Sequence, residues 1–188
     1  MEAKIGVGGA VHGVTKLQAL FRGNKSRRVH VQRARQHLPW SPFVPAKMEA
    51  VRAMLEVVGL QAGETLMDVG SGDGRVVIEA VVMCPELKIA RGVELDEALV
   101  RLSRRRILER VVEEEKTVDM HDADVVVLFF LPHEEIARML QQKLRPGTRV
   151  VTYVFQIAQW KPEKVVPTVP FMTEKGSSSI YLYRVPQG

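Results

Sequence analysis

An acid and three glycines carry the first chemical signal in this chain of 188 residues. Asp68 closes an apolar lead-in, and Gly70, Gly72 and Gly74 follow at every second position before an apolar segment that begins at Arg75. Glycine suits a tight strand-to-helix turn because it takes φ > 0 without a Cβ clash and lets a ligand approach the backbone. The stretch reads as strand, glycine turn and helix, the unit that opens a nucleotide-type site in an open α/β sheet.

Three ligand classes compete for such a loop. A phosphate-binding P-loop requires Gly-Lys-Ser/Thr, and the stretch has none. A dinucleotide fingerprint places its third glycine three residues after the second, where this chain has Arg75. The observed G-x-G-x-G spacing suits S-adenosylmethionine, which has no pyrophosphate to seat on the helix. Its amino, carboxylate and sulfonium groups would lie along the loop, with Asp68 and Asp73 near the ammonium end. Glu94, 26 residues after Asp68 at the end of a second apolar stretch, is placed to accept both ribose hydroxyls. Adenosine cofactors share that feature, so it does not separate a methyl donor from NAD. Alone, Glu94 would read as an exposed strand-end acid; with the loop at this separation the ligand reading is stronger.

These residues need a sheet to hold them. Lys47–Leu60 carries Met48, Val51, Met54, Leu55 and Val58 at helical spacing, after a segment broken by three prolines between residues 38 and 46. Thr65–Val69 is the first strand and Arg75–Met83 the helix behind the loop. Leu87–Leu95 is the second strand, Asp96 an N-cap, and Glu97–Glu109 a helix with Leu99, Leu102 and Ile107 or Leu108 inward. Val111–Met120 is the least legible part; alternation asks for a third strand there, with only Val111, Val112 and Val118 in support. Asp124–Leu131 is a buried-strand run, Glu134–Leu144 an amphipathic helix, and Thr148–Phe155 a further strand. Val165–Met172 and Ser179–Val185 close the chain as a hairpin. The alternation implies a Rossmann-like α/β fold: a mostly parallel sheet, helices on both faces and a C-terminal antiparallel β-hairpin.

Charge divides the chain unevenly. Residues 1–48 hold nine Lys/Arg against the single acid Glu2, which leaves 18 Lys/Arg and 21 Asp/Glu in the remainder. Residues 1–37 therefore read as a basic segment, either a targeting presequence for mitochondria or a plain tail able to touch nucleic acid or anionic lipid. The folded domain is expected over 38–188, and without a presequence the location would be cytoplasmic. Cys84 is the one cysteine, so neither an intrachain disulfide nor a Cys-type zinc site can form. The longest apolar run, Val125–Leu131, is far shorter than the roughly 18–20 residues of a spanning helix. The basic cluster Arg104, Arg105, Arg106 and Arg110 sits beside Glu109 and Glu113–Glu115, as on a solvated helix face.

The loop from Asp68 to Arg75, with Gly92-Val93-Glu94-Leu95, resembles the class I S-adenosylmethionine-dependent methyltransferases from about Pro42 onward. Phe43-Val44-Pro45, Leu144–Val151, Trp160-Lys161-Pro162 and Ile180–Tyr183 make it similar to a narrower group. That group is the small protein-lysine methyltransferases acting on mitochondrial carriers and the ATP synthase c-subunit, with their bacterial relatives. The resemblance implies methyl transfer to a lysine Nε of a protein, such as a mitochondrial membrane protein, by a monomer without specific nucleic-acid binding. It implies cofactor contacts from Asp68, Gly70, Ser71, Gly72, Asp73, Gly74, Glu94 and Leu95. In that group a third strand ends in an acid that meets the adenine amino group; by spacing, Glu114 is the nearest equivalent. Two departures stand out: Ala46-Lys47 replaces Thr-Pro, and the interval between Glu97 and Asp124 is several residues short.

Methyl transfer is an in-line displacement, so orientation is the main requirement, and a lysine nucleophile must also lose its proton, which desolvation assists. Pro132 lies where an acceptor should enter. His133 and Glu134 could line that entrance, although a helix N-terminal turn explains both, and no general base is assigned. Trp160 and Phe43 could wall the acceptor channel, but packing is the commoner fate of such aromatics. No metal site is expected. The alternatives are a small-molecule methyltransferase, an NAD-binding Rossmann-like enzyme and a non-catalytic binding protein.

Overall fold

The computed structural model describes residues 43–108, 120–130, 132 and 134–186. The N-terminal segment 1–37 and its boundary, the expected third strand with Glu114, and His133 all lie outside them. Among the described residues the elements are α1 (Met48–Val58), β1 (Thr65–Val69), α2 (Arg75–Met83), β2 (Ile89–Val93), α3 (Glu97–Leu108), β3 (Val125–Leu128), α4 (Glu134–Lys143), β4 (Arg149–Tyr153), β5 (Lys164–Thr168) and β6 (Ser178–Arg184).

The strands form one sheet in the order β2-β1-β3-β4-β6-β5. The first four are parallel, while β6 runs antiparallel to both β4 and β5. The expected C-terminal hairpin is present, and its second strand, β6, is the inner one. From β1 the chain steps to β2 on one side and to β3 on the other. The strand order therefore reverses at the carboxyl ends of β1 and β3, where open α/β sheets bind ligands.

Side-chain alternation divides the core into two layers. Leu66, Val125, Val127, Val151 and Ile180 pack on α1 and α2 through Val51, Met54, Leu55, Val77 and Ala80. Met67, Val126, Leu128, Val150 and Tyr183 pack on the other face against Ala137 and Leu140 of α4. All four residues of β3 are buried, which explains its run of apolar residues without alternation. Gly59, at φ 62°, ends α1 with its N–H on the carbonyls of Leu55 and Glu56.

Several ends differ from expectation for local reasons. β2 stops at Val93 because the Glu94 carboxylate captures the N–H groups of Leu95 and Asp96, each at 2.8 Å, turning the chain off the sheet. Asp96 caps α3 as expected, its Oδ1 accepting the N–H of Ala98 at 2.9 Å. β3 ends at Leu128, so Phe129 and Phe130 have left the ladder at its carboxyl end. Lys47, at one of the two departures, donates from Nζ to the Thr173 carbonyl at 3.2 Å and so pins the β5–β6 connection.

Candidate functional site

The site is built where β1 runs out. Gly70, Gly72 and Gly74 have φ of 77°, 56° and 79°, all in the left-handed region that a β-carbon disfavours. The N–H groups of Gly70 and Ser71 both donate to the Val93 carbonyl, at 2.8 and 3.0 Å, fastening the loop to the end of β2. Gly74 N–H donates to the Ser71 carbonyl at 2.9 Å and closes the turn into α2. Gly74 also has no room for a side chain, since a β-carbon there would stand 2.3 Å from Ser103 Oγ on α3.

Glu94 clasps this loop from the neighbouring strand. Its Oε2 accepts the Gly72 N–H at 2.9 Å, while Oε1 holds the N–H groups of Leu95 and Asp96. An ionised carboxylate has about four acceptor positions, of which these bonds fill three. To accept both hydroxyls of a ribose, Glu94 must exchange at least one of them.

Asp68 is buried at 3% exposure on the α1/α2 face of β1. Burial, then the nearby charges of Glu94 and Asp73, push its carboxyl up to about 8. A buried acid among acids is a site that a cation would relieve. Asp73 is different. Burial raises its pKa, but the guanidinium groups of Arg75 and Arg106 more than compensate and hold it below the usual carboxylate range. Arg75 bonds both Asp73 oxygens, at 2.9 and 2.6 Å, and reaches the Ala46 carbonyl at 2.6 Å with its third nitrogen. Arg106 of α3 pairs with the Asp73 Oδ2. Asp73 thus ties the loop to α3 and to the lead-in of α1, and its charge is already neutralised there.

Leu95 stands beside Glu94 with 70% of its surface exposed, an apolar platform at the rim of the site. Ser71 is buried beneath the loop. A β-carbon at Gly92 would lie 2.6 Å from Ser71 Oγ and 2.8 Å from its Cβ. Gly92 therefore gives Ser71 its space, a role that a glycine within a strand signals in sequence. The ring of Phe130 approaches Gly70, its nearest atom lying 3.4 Å from the position of a β-carbon there. Arg106 reads in sequence as part of a solvated basic face, yet it turns to the loop. A salt bridge across 33 residues leaves no local pattern to reveal it.

Other expected positions are accounted for by packing or by helix geometry. Trp160 packs edge-on against Tyr183, ring centroids 6.1 Å apart, within the second core layer. Glu134 is exposed in the first turn of α4, as the helix-terminus explanation requires. Among the described residues no group of three His, Cys, Asp or Glu could hold a metal ion. A cleft of about 430 Å³ lies at the opposite, amino ends of the strands, lined by residues including Glu64, Asp124, Arg145, Arg149 and Arg184. Its arginines are engaged with Asp124, Glu64 and Glu163 in ion pairs that brace the sheet, so it is read as scaffold.

The site fits S-adenosylmethionine: a glycine turn that lets a ligand approach the backbone, a buried acid favouring a cation, a strand-end carboxylate and an exposed apolar platform beside it.

Comparison with known proteins agrees with that chemistry. The family model described as the ANTKMT methyltransferase domain matches residues 68–164. A protein-lysine N-methyltransferase of Saccharolobus islandicus (strain REY15A) is 32% identical over 159 residues, covering 78% of this chain and 95% of the relative. The human lysine N-methyltransferase of the ATP synthase c-subunit is 28% identical, over 76% of this chain and 60% of its own length. Among solved structures, an RNA methyltransferase from Salinibacter ruber in complex with S-adenosyl-L-homocysteine superposes with a TM-score of 0.66. It is 30% identical and the match spans 77% of this chain and 95% of that one.

Proposed function

The chain belongs to the ANTKMT methyltransferase domain family, and on that premise we propose that it transfers methyl from S-adenosylmethionine to the Nε of a lysine in a protein. The observation that carries the acceptor class is the 32% identity to an enzyme named for protein-lysine N-methylation, across 95% of that enzyme's length. The human relative, named for the ATP synthase c-subunit, adds weight from a second domain of life.

When bound, S-adenosylmethionine supplies an electrophilic methyl carbon on a sulfonium. Every other contribution belongs to the chain. Asp68, Gly70, Ser71, Gly72, Glu94 and Leu95 hold the cofactor, Asp68 answering positive charge and Glu94 the ribose. Asp73 and Gly74 act one step back, fixing the loop against α3. Glu114 is retained as the adenine-side acid by its spacing alone. The acceptor amine must be free of its proton at the moment it attacks, because only the neutral nitrogen has a lone pair to offer. The proton passes to solvent.

A second reading has its own observation: the Salinibacter ruber protein is described as an RNA methyltransferase and is 30% identical. One experiment separates the two. Purified protein is incubated with methyl-labelled S-adenosylmethionine and with cell extract treated by RNase or by protease. Label that survives RNase and maps to lysine supports the proposal; label confined to RNA overturns it.

The mitochondrial address rests on the acid-poor composition of residues 1–37 and on the substrates for which the mammalian relatives are named, the ATP synthase c-subunit and the adenine nucleotide translocase. The archaeal relative shows that the family does not require it. Fusing residues 1–37 to a fluorescent protein tests the address; a diffuse cytosolic signal would refute it.

A further inference from the structure

Four aromatic residues meet at the carboxyl ends of β3 and β4. The Phe129 ring centroid lies 5.2 Å from Tyr153, 5.2 Å from Phe171 and 6.4 Å from Phe155, with Phe171 edge-on at 90°. Phe171 is also edge-on to Tyr153, at 5.9 Å. Tyr153 is fully buried, its hydroxyl donating to the Val169 carbonyl at 2.9 Å, whereas the three phenylalanines are half-buried and keep surface toward solvent. Phe129 is the neighbour of Phe130, the ring beside Gly70. The cluster therefore starts one residue from the cofactor loop, on the side of β1 away from Glu94.

Backbone strain stands at the same place. Val154, between Tyr153 and Phe155, has φ 71°. A β-branched residue in the left-handed region is a genuine outlier, held only where its surroundings over-determine it. They do so here. Val154 N–H donates to the Ser179 carbonyl at 2.9 Å, and the buried Thr152 hydroxyl donates to the Phe155 carbonyl. Phe171 is held as firmly, its N–H on Ser178 Oγ at 2.9 Å. Phe129 and Phe171 also pack against the core, whereas Phe155 joins the cluster only through Phe129 and is set there by the strained residue before it.

We propose that Phe129, Phe155 and Phe171 wall the acceptor site over a floor made by Tyr153, and receive the lysine ammonium against their ring faces. The proposal deepens the lysine reading and rests on it. Ring faces attract an ammonium electrostatically, most strongly where water is excluded. The strained turn at Val154 sets the Phe155 ring in the wall.

The test compares Phe155→Leu, Phe155→Tyr and Phe155→Ala in the full chain. Methyl transfer to lysine in protein extract is measured together with S-adenosylhomocysteine affinity by calorimetry. Butylammonium and the neutral 1-pentanol are compared as ligands by NMR, with S-adenosylhomocysteine present. The expected result is that wild type prefers butylammonium to pentanol. Leucine, which keeps apolar bulk but has no ring face, should lose that preference and about 3- to 30-fold of transfer efficiency, mainly through KM. Tyrosine should stay within about twofold of wild type, and S-adenosylhomocysteine affinity should be unchanged in both. If Phe155→Ala does not fold, the leucine and tyrosine variants decide. A leucine variant equal to wild type, or a wild type without cation preference, overturns the inference while lysine methylation stands. Methylation of RNA alone overturns the lysine reading and the inference with it.

Discussion

The carboxylate of Glu94 accepts the Gly72 N–H at 2.9 Å, so the acid proposed to meet the ribose also holds the centre of the glycine loop. Glu94 leaves β2 and Gly72 belongs to the turn after β1. The bond crosses the two strands whose carboxyl ends frame the site. The loop is braced by the same group that is proposed to engage the cofactor. On that proposal, cofactor binding and loop geometry are joined through one side chain.

Removing that group should weaken cofactor binding through both of its roles. Glu94→Ala loses charge-assisted hydrogen bonds worth about 1.5–3 kcal/mol each, so S-adenosylmethionine and S-adenosylhomocysteine should bind roughly 10- to 100-fold more weakly by calorimetry. Glu94→Gln keeps the shape and one acceptor oxygen, and should fall between the alanine variant and wild type. Unchanged affinity in Glu94→Ala would refute the assignment of this loop.

Gly92 should be intolerant for a reason that its own backbone does not show. It has no positive φ among the glycines that do, yet a β-carbon there meets the side chain of Ser71 at 2.6 and 2.8 Å. Gly92→Ala should cost about 1–3 kcal/mol, the usual range for overpacking, and displace the turn that Ser71 anchors. Adding Ser71→Gly opens the space and should recover part of the loss, a positive coupling that thermal melts of the four species would read. Additive effects would show that the contact does not matter.

Much of this is legible in sequence, and the reasons are local. β1 and α2 fall where expected because the glycine turn separates them and Pro85 follows the helix. The buried run at β3 declares itself by lacking polar alternation. The clasp of Glu94 on Gly72 is not legible, because the same carboxylate is equally suited to a ribose and only coordinates show what it holds. Sequence places Asp73 at the ammonium end, whereas its pairing with Arg106 depends on how α3 lies across the loop, which periodicity does not encode. The aromatic cluster escapes a sequence reading for a similar reason: Phe129, Phe155 and Phe171 come from three separate connections, and only the sheet order brings them together. Trp160 draws attention by its size and is packing.

Asp73 should matter for stability more than for cofactor affinity. Asp73→Ala strands Arg75 and Arg106 beside a buried loop. Breaking a fully buried pair costs about 3–5 kcal/mol, but Arg106 is 43% and Arg75 23% exposed, so screening should reduce the loss to about 1–3 kcal/mol. Its carboxyl is depressed in the folded state, so its contribution is present above the unfolded pKa and is lost as pH falls through the lower folded value. Urea titrations should therefore show a full difference between wild type and Asp73→Ala at pH 7 and a shrinking one in strong acid. A difference that does not depend on pH would show that the charge is not the cause.

Asp68 should give the opposite dependence and link it to the cofactor. Its carboxyl is raised to about 8 in the folded chain, chiefly by burial, against an unfolded value near 3.9. The folded state therefore holds an extra proton between those limits. The stability this contributes is fully present below the unfolded pKa and is lost as pH rises through about 8. A cofactor ammonium placed near Asp68 favours the ionised form, so binding should expel that proton at neutral pH and tighten as pH rises toward 8. Calorimetry of S-adenosylhomocysteine in buffers of different ionisation enthalpy should register up to one proton released per site. Cofactor addition should raise the melting temperature more at pH 8.5 than at pH 6. Asp68→Asn, which carries no proton to lose, should abolish both effects while weakening affinity. Proton release that persists in Asp68→Asn would assign the linkage to another group and take Asp68 out of the site.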